Sequence, residues 1–144
     1  MGSFLIVSRE QVVTILNPVV MTQYSTVWAL RTKTEDALVG LNIDKDRIFI
    51  TKWAPQLSVL GHRAICMAIL HGDSNGLHEA LYNEVPPIVI PTTGNQIANA
   101  GGVHYQNLGI HIPSSNLSEA SIADAIKSTD TTGVGCSTTT WMFT

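Results

Sequence analysis

Charged residues are scarce in this sequence, and basic residues are scarcer than acidic ones. Of 144 residues, 13% are charged, and eight Lys and Arg against eleven Asp and Glu leave a formal net charge of −3. A typical globular chain is about a quarter charged, so we expect much of this surface to be buried or to lie against another surface. No basic stripe is present, and nucleic acid is therefore not an expected partner.

Long apolar runs, a cysteine framework and metal-binding spacings are also absent. The apolar runs are far shorter than the roughly 20 residues that span a bilayer, so no membrane segment is expected in this chain. Two cysteines, Cys66 and Cys136, are too few to indicate a disulfide framework, and the sequence does not decide whether they form a disulfide with each other. No G-x-G-x-x-G, C-x-x-C or H-x-x-x-H spacing occurs, so we predict neither a dinucleotide cofactor nor a metal ion.

Short apolar runs alternate with helix-like segments along most of the chain. The strand-like runs are 26–31, 47–51, 65–70, 87–91 and 109–112, and the helix-like segments are 8–23, 55–60, 75–82, 96–106 and 118–127. This alternation predicts an α/β fold, a Rossmann-like parallel sheet with helices on both faces. Residues 1–127 form the predicted domain, and the polar composition of 128–144 predicts an irregular tail.

The stretch from Trp53 to Gln96 contains the candidate site. Within it, the apolar run 65–70 passes directly into H-G-D-S-N-G at 71–76, and a helix-like segment follows at once. A helix that starts there directs its first N–H groups, and the positive end of its dipole, towards a place where phosphate binds well. Trp53, His71 and residues 92–96 each follow a strand end, and the carboxyl ends of parallel strands lie on one rim of the sheet.

These residue types suit the parts of a nucleoside diphosphate. His71 and the first N–H groups of the helix can neutralise a diphosphate. Trp53 can stack on a base, and Glu79 can accept hydrogen bonds from ribose hydroxyls. The N–H donors belong to Ser74, Asn75 and Gly76.

Two other functions fit parts of the same stretch. G-D-S-N-G matches G-x-S-x-G between a strand and a helix, which would make Ser74 the nucleophile of an α/β-hydrolase-like esterase. However, the only acids between Ser74 and the downstream histidines, His104 and His111, are Glu79 and Glu84, and Asp124 follows both histidines. No H-G-G-type oxyanion loop precedes Ser74. The low charged fraction favours the other alternative, a degenerate, non-catalytic nucleotide-binding domain that acts as an interaction module.

Together these motifs resemble the family-1 UDP-glycosyltransferases, which include the UDP-glucuronosyltransferases. The resemblance rests on W-A-P-Q (53–56), L-G-H (60–62), H-G-x-S-N-G (71–76), Glu79, V-P (85–86), Pro91 and N-Q (95–96), in that order. It covers about residues 52–100 and extends more weakly to Gly2 and to Lys127.

The resemblance implies the C-terminal, donor-binding half of a GT-B fold, in which two Rossmann-like domains face each other. The implied reaction transfers a hexosyl or glucuronosyl group from a UDP-sugar to a hydroxyl of a small acceptor, with inversion and without a cofactor. In the family, the general base and the acceptor site belong to an N-terminal domain. We therefore expect no catalytic residue in this chain, which would be a fragment, inactive alone, whose first strand, before Gly2, is missing.

By motif position, the resemblance also implies a role for each site residue. Trp53 would stack on uracil, Gln56 would lie near the base or ribose, and Glu79 would hold the ribose hydroxyls. The diphosphate would be held by His71, Ser74, Asn75 and Gly76, with Ser3 approaching it from a Gly-Ser turn. Asn95 and Gln96 would read the sugar hydroxyls.

Two positions depart from the family pattern. Asp73 stands where the family usually has glycine or a small residue, so its carboxylate can repel a diphosphate and its side chain can disfavour a glycine-type backbone angle. Asn95 stands where the family commonly has Asp, so the charge that grips sugar hydroxyls is lost. The sequence does not identify the sugar, the acceptor or the compartment. The chain as given would be cytoplasmic, whereas a full-length relative of the glucuronosyl type would lie in the endoplasmic reticulum membrane.

Overall fold

In the computed structural model, which describes residues 8–30, 38–130 and 139–143, strands alternate with helices. The strands are β1 (Ser25–Ala29), β2 (Ile48–Thr51), β3 (Ile65–Leu70), β4 (Pro87–Val89), β5 (Ile110–His111) and β6 (Thr139–Phe143). The helices are α1 (Arg9–Met21), α2 (Gln56–Leu60), α3 (Ser74–Tyr82), α4 (Gly94–Tyr105) and α5 (Glu119–Asp130), with a 3₁₀ turn at Ser114–Asn116. None of the helices in these ranges has the length and apolar character needed to cross a bilayer.

Local sequence signals set the starts of two helices. Ser8 and Gln11 form a capping box at α1, because Gln11 N donates to Ser8 Oγ (3.2 Å) and Ser8 N donates to Gln11 Oε1 (3.0 Å). Pro18, which predicts a kink or an early end, lies inside α1, and the helix continues to Met21. Ser118 caps α5, since its Oγ accepts from Ser121 N (3.1 Å).

The strands form one parallel sheet in the order β2-β1-β6-β3-β4-β5. Helices cover both of its faces, because side chains that alternate along β3 enter two separate apolar clusters. Met67 and Ile69 pack in the cluster that includes α1 and α5, whereas Ala68 and Leu70 pack in the cluster that includes α2, α3 and α4. The predicted Rossmann-like arrangement is confirmed.

The prediction of an irregular tail from Ser128 is wrong for the part of the tail that the structure describes. Helix α5 continues to Asp130, and residues 139–143 form β6 in the middle of the sheet, between β1 and β3. Trp141 and Met142 are fully buried on opposite faces. Threonine and aromatic residues favour strands, but a five-residue strand that is buried on both faces shows no alternation in sequence. Residues 131–138, with Cys136, lie outside the described residues.

β6 occupies the sheet position that a first strand would take. The dinucleotide-binding fold has the strand order 3-2-1-4-5-6. If β1 to β5 are counted as its strands 2 to 6, the observed order matches throughout, with β6 in the place of strand 1. The absence of a strand before Gly2 stays a prediction; in this structure the C-terminal segment occupies the sheet position that such a strand would take.

Candidate functional site

The turn between β3 and α3 forms the centre of the candidate site. Gly72 has φ of +93°, and a Cβ at this position would lie 2.7 Å from Val89 Cγ1, so the turn requires glycine there. Asp73 follows with φ of −66° and ψ of 151°, an ordinary extended conformation, and serves as the N-cap residue of α3. The backbone therefore accepts Asp73 without strain, and the expected conflict with a glycine-type angle does not arise.

His71 and Asp73 contact each other inside this turn. The Nε2 atom of His71 lies 3.3 Å from Oδ1 of Asp73, and the side chains are 4% and 28% exposed. His71 is thus held under the turn at the end of β3, next to the amino end of α3. The structure thus has a histidine beside the first turn of this helix, as predicted. The contact of His71 with a diphosphate stays a prediction.

Gln56 and Glu79 form a second polar pair along the same helix. Gln56, the first residue of α2, donates from Nε2 to Glu79 Oε2 (2.8 Å). Gly76 lies between the two pairs, since a Cβ built on it would be 2.7 Å from Asp73 Oδ1 and 3.2 Å from Gln56 Nε2. The four side chains therefore line one side of the start of α3, and Gly76 leaves the room that they need.

Trp53 lies on the rim after β2 and does not join either apolar cluster. Its side chain is 71% exposed. Its backbone is held in place by Thr51, whose Oγ1 donates to Trp53 O (2.8 Å) and accepts from Trp53 N (3.4 Å). An exposed indole on a fixed backbone is available for stacking, which a core tryptophan would not be.

The start of α4 supplies a third part of the rim. Asn95 is exposed, whereas Gln96 is 4% exposed and accepts at Oε1 from Thr92 N (3.0 Å), Thr92 Oγ1 (2.9 Å) and Thr93 N (3.3 Å). The oxygen of Gln96 thus fixes the turn between β4 and α4. Its predicted contact with sugar hydroxyls, like that of Asn95, stays a prediction.

Asn99 is a site residue that the sequence analysis missed. Its Nδ2 donates to Gly72 O (3.0 Å) and to Ser74 Oγ (3.3 Å), which ties α4 to the turn after β3. Its spacing of four from Asn95 places both amides on one face of α4, and this is the signal that could have indicated it. Ser74 and Asn75, at the start of α3, are exposed, and Ser3 lies outside the described residues.

The geometry does not build the hydrolase triad around Ser74. Ser74 is the first residue of α3 and does not have a positive φ, unlike the serine on the sharp, strained turn that presents such a nucleophile. His104 lies in the last turn of α4, roughly 15 Å of helix from its start. His111 lies in β5, two strands from β3 and hence roughly 10 Å away across the sheet.

Two further observations on the described chain concern a metal site and a second cleft. Among residues 8–30, 38–130 and 139–143, no group of three or more His, Cys, Asp or Glu side chains is arranged to hold a metal ion. A cleft of about 540 Å³ lies between α1 and α5, next to Tyr24. Because Tyr24 directly precedes β1, this cleft is at the amino ends of the strands, away from the rim just described.

Comparison with known proteins decides the family. The model of the family described as UDP-glucoronosyl and UDP-glucosyl transferase matches residues 2–130. This chain belongs to that family. The matched range contains every residue of the rim, so the family resemblance and the geometry concern the same part of the chain.

Relatives of the family are similar to this chain over part of their length. UDP-glycosyltransferase 91D2 of Stevia rebaudiana is 29% identical over 89% of this chain and 30% of its own length. UDP-glucuronosyltransferase 2B18 of Macaca fascicularis is 33% identical over 70% of this chain and 18% of its own length. The chain therefore spans less than a third of the length of these family members.

Solved structures show the same fold. Os79 from O. sativa, crystallised with U2F and trichothecene, has a TM-score of 0.82 and 22% identity, and the match covers 92% of this chain and 31% of Os79. The calicheamicin glycosyltransferase CalG4 has a TM-score of 0.72 and 23% identity over 89% of this chain and 32% of its own. These neighbours are GT-B glycosyltransferases, and this chain has the fold of their C-terminal half.

Proposed function

We propose that this chain is the donor-binding part of a UDP-glycosyltransferase. The observation that supports this proposal most is the hydrogen bond between Gln56 and Glu79 (2.8 Å), which lies along α3 next to the turn that contains His71. In a member of this family, that arrangement provides a ribose acceptor and a diphosphate cradle within one helical turn. The exposed Trp53 on the same rim provides the stacking surface for a base.

Each part of a UDP-sugar would then have a partner. Uracil would stack on Trp53, and the ribose hydroxyls would donate to Glu79, whose second oxygen is held by Gln56. The diphosphate would bind at the first N–H groups of α3 with His71 beneath, where the helix dipole favours negative charge. The sugar would extend towards Asn95 at the start of α4.

In the transfer reaction, this half would stabilise the leaving group. As the bond between the anomeric carbon and the diphosphate oxygen breaks, negative charge develops on the departing UDP. Fixed N–H dipoles and His71 would stabilise that charge without having to reorganise. The base that removes the acceptor proton, and the acceptor site itself, would belong to an N-terminal domain, so we expect the isolated chain to bind UDP weakly and to transfer no sugar.

Titration calorimetry with UDP, UDP-glucose and ADP tests the proposal. We expect heat with UDP and UDP-glucose and a weaker signal with ADP, because the family to which the chain belongs is named for uridine nucleotide donors. No heat with UDP, together with dimerisation in solution, would instead support a non-catalytic interaction module. Labelling by a fluorophosphonate that Ser74→Ala abolishes would support the esterase.

A further inference from the structure

One oxygen of the Asp73 carboxylate faces into the turn, although the side chain as a whole is 28% exposed. Its Oδ1 atom is buried and lies 3.3 Å from His71 Nε2. The same oxygen lies so close above Gly76 that an added Cβ there would be 2.7 Å from it. An anionic oxygen of the chain itself is therefore placed over the first turn of α3, against the histidine.

This position is the one that the proposed function gives to the diphosphate. The first N–H groups of α3 and the His71 ring are the groups that favour an anion here. A carboxylate next to these groups lowers the positive electrostatic potential at this place even when no ligand is bound. A diphosphate at this place would also meet a like charge within a few ångströms.

The backbone does not need an aspartate in this position. Asp73 has φ of −66°, and the positive φ that shapes the turn belongs to Gly72. The N-cap side chain of Asp73 makes no capping hydrogen bond to α3. What Asp73 contributes is therefore its charge at this place, and that charge can be removed without a change in the path of the chain.

We propose that Asp73 is an affinity-setting residue of the donor site, whose carboxylate competes with the diphosphate for His71 and the amino end of α3. The inference rests on the proposed function and adds to it a built-in anion that must turn outwards when a diphosphate binds. The effect grows with the phosphate charge of the ligand. Uridine, which has no phosphate, is unaffected by Asp73, whereas UDP is affected strongly.

The test compares the wild type with Asp73→Asn, which keeps the shape and removes the charge. Asp124→Asn removes the same charge from an exposed position on α5 and serves as the matched control. Affinities for uridine and UDP are measured by calorimetry and by ligand-observed NMR. We expect Asp73→Asn to bind UDP about tenfold more tightly or better, as a close like charge predicts, with uridine affinity unchanged and both affinities unchanged in Asp124→Asn.

Each other result overturns the inference in a recognisable way. Uridine binding with no gain for UDP in Asp73→Asn would leave the proposed function intact and remove the role of Asp73. An equal gain for uridine and UDP would show a change of shape rather than of charge. If no protein binds uridine or UDP, the proposed function fails and the inference fails with it. Asp73→Gly, the residue type usual in the family, must show the same gain, which keeps the test valid if Asp73→Asn does not fold.

Discussion

Trp53 is the residue of the rim whose contribution to binding separates most cleanly from its contribution to stability. Its side chain is 71% exposed and belongs to neither apolar cluster. Trp53→Ala should weaken UDP binding by about 1–3 kcal/mol, the usual effect of removing an aromatic ring from a base. Because the side chain is exposed, the free energy of unfolding should change by less than about 0.5 kcal/mol.

Calorimetry with UDP and urea unfolding check the two parts of this prediction. Tyr105→Ala is the matched control, because Tyr105 is 88% exposed and lies at the far end of α4. It should leave both quantities unchanged. Equal UDP affinities in the wild type and Trp53→Ala would contradict the stacking role.

Side-chain direction is what the sequence could not supply at this scale. The predicted strand ends indicated that Trp53, His71 and residues 92–96 share a rim, and the family resemblance added Gln56 and Glu79 to the site. Asn99 reaches Gly72 across 27 residues of sequence, and the contact of Asp73 with His71 depends on which way a side chain points within the turn. No local pattern encodes such contacts, so the sequence predicted the members of the site but not how they engage one another.

At the scale of elements, β6 differs most from what the sequence predicts. Each of the five other strands has a helix signal on at least one side, so the alternation could be recognised. β6 follows a polar stretch, and its position in the sheet depends on pairing with β1 and β3, as in the match of Val27 and Ala68 to Trp141. Pairing between distant segments leaves no local signal in the sequence. This explains why a strand was predicted for β3 but an irregular tail was predicted where β6 forms.

Two substitutions of Trp141 test whether β6 is a central strand. The side chain is fully buried on the face of the sheet that α2, α3 and α4 cover, and its Nε1 has no hydrogen-bond partner among the described residues. Trp141→Ala should lower the free energy of unfolding by about 3–5 kcal/mol, as expected for a large core side chain. Trp141→Phe should cost about 1 kcal/mol or less, because it keeps most of the ring and removes an unsatisfied N–H.

Urea unfolding monitored by circular dichroism provides both values, since it does not depend on the tryptophan signal. The contrast between the two variants matters more than either value, because it separates the packing of a buried ring from its polar atom. A loss below about 1 kcal/mol in Trp141→Ala would be incompatible with a buried central strand.

At the scale of the whole molecule, Tyr24 joins the entry of β1 to the end of α5. Its side chain is 8% exposed, and it forms a hydrogen bond with Asp130, the last residue of α5. Burial, together with the hydrogen bond to Asp130 and the negative charge of Asp130, raises the pKa of Tyr24 to about 12. The neutral phenol is thus favoured in the folded chain relative to the unfolded chain.

This shift predicts how the stability of the whole chain depends on alkaline pH. The unfolded phenol loses its proton near pH 10, whereas the folded one keeps it until about pH 12. The stabilisation from Tyr24 is therefore complete below about pH 10 and is lost as the pH rises to about 12, with a total of about 2–3 kcal/mol. Tyr24→Phe lacks this term, so the free energy of unfolding of the wild type should fall relative to that of the variant across this window.

Urea unfolding of the wild type and Tyr24→Phe between pH 8 and 12 measures the difference, and other titrating groups cancel in the comparison. The absorbance of tyrosinate in a variant with Tyr82 and Tyr105 replaced by Phe reports the ionisation of Tyr24 directly. Asp130→Asn should move that ionisation to lower pH, because it removes the negative charge beside the phenol. Parallel stability curves for the wild type and Tyr24→Phe across this range would rule out the link between α5 and β1 as a source of the pH dependence.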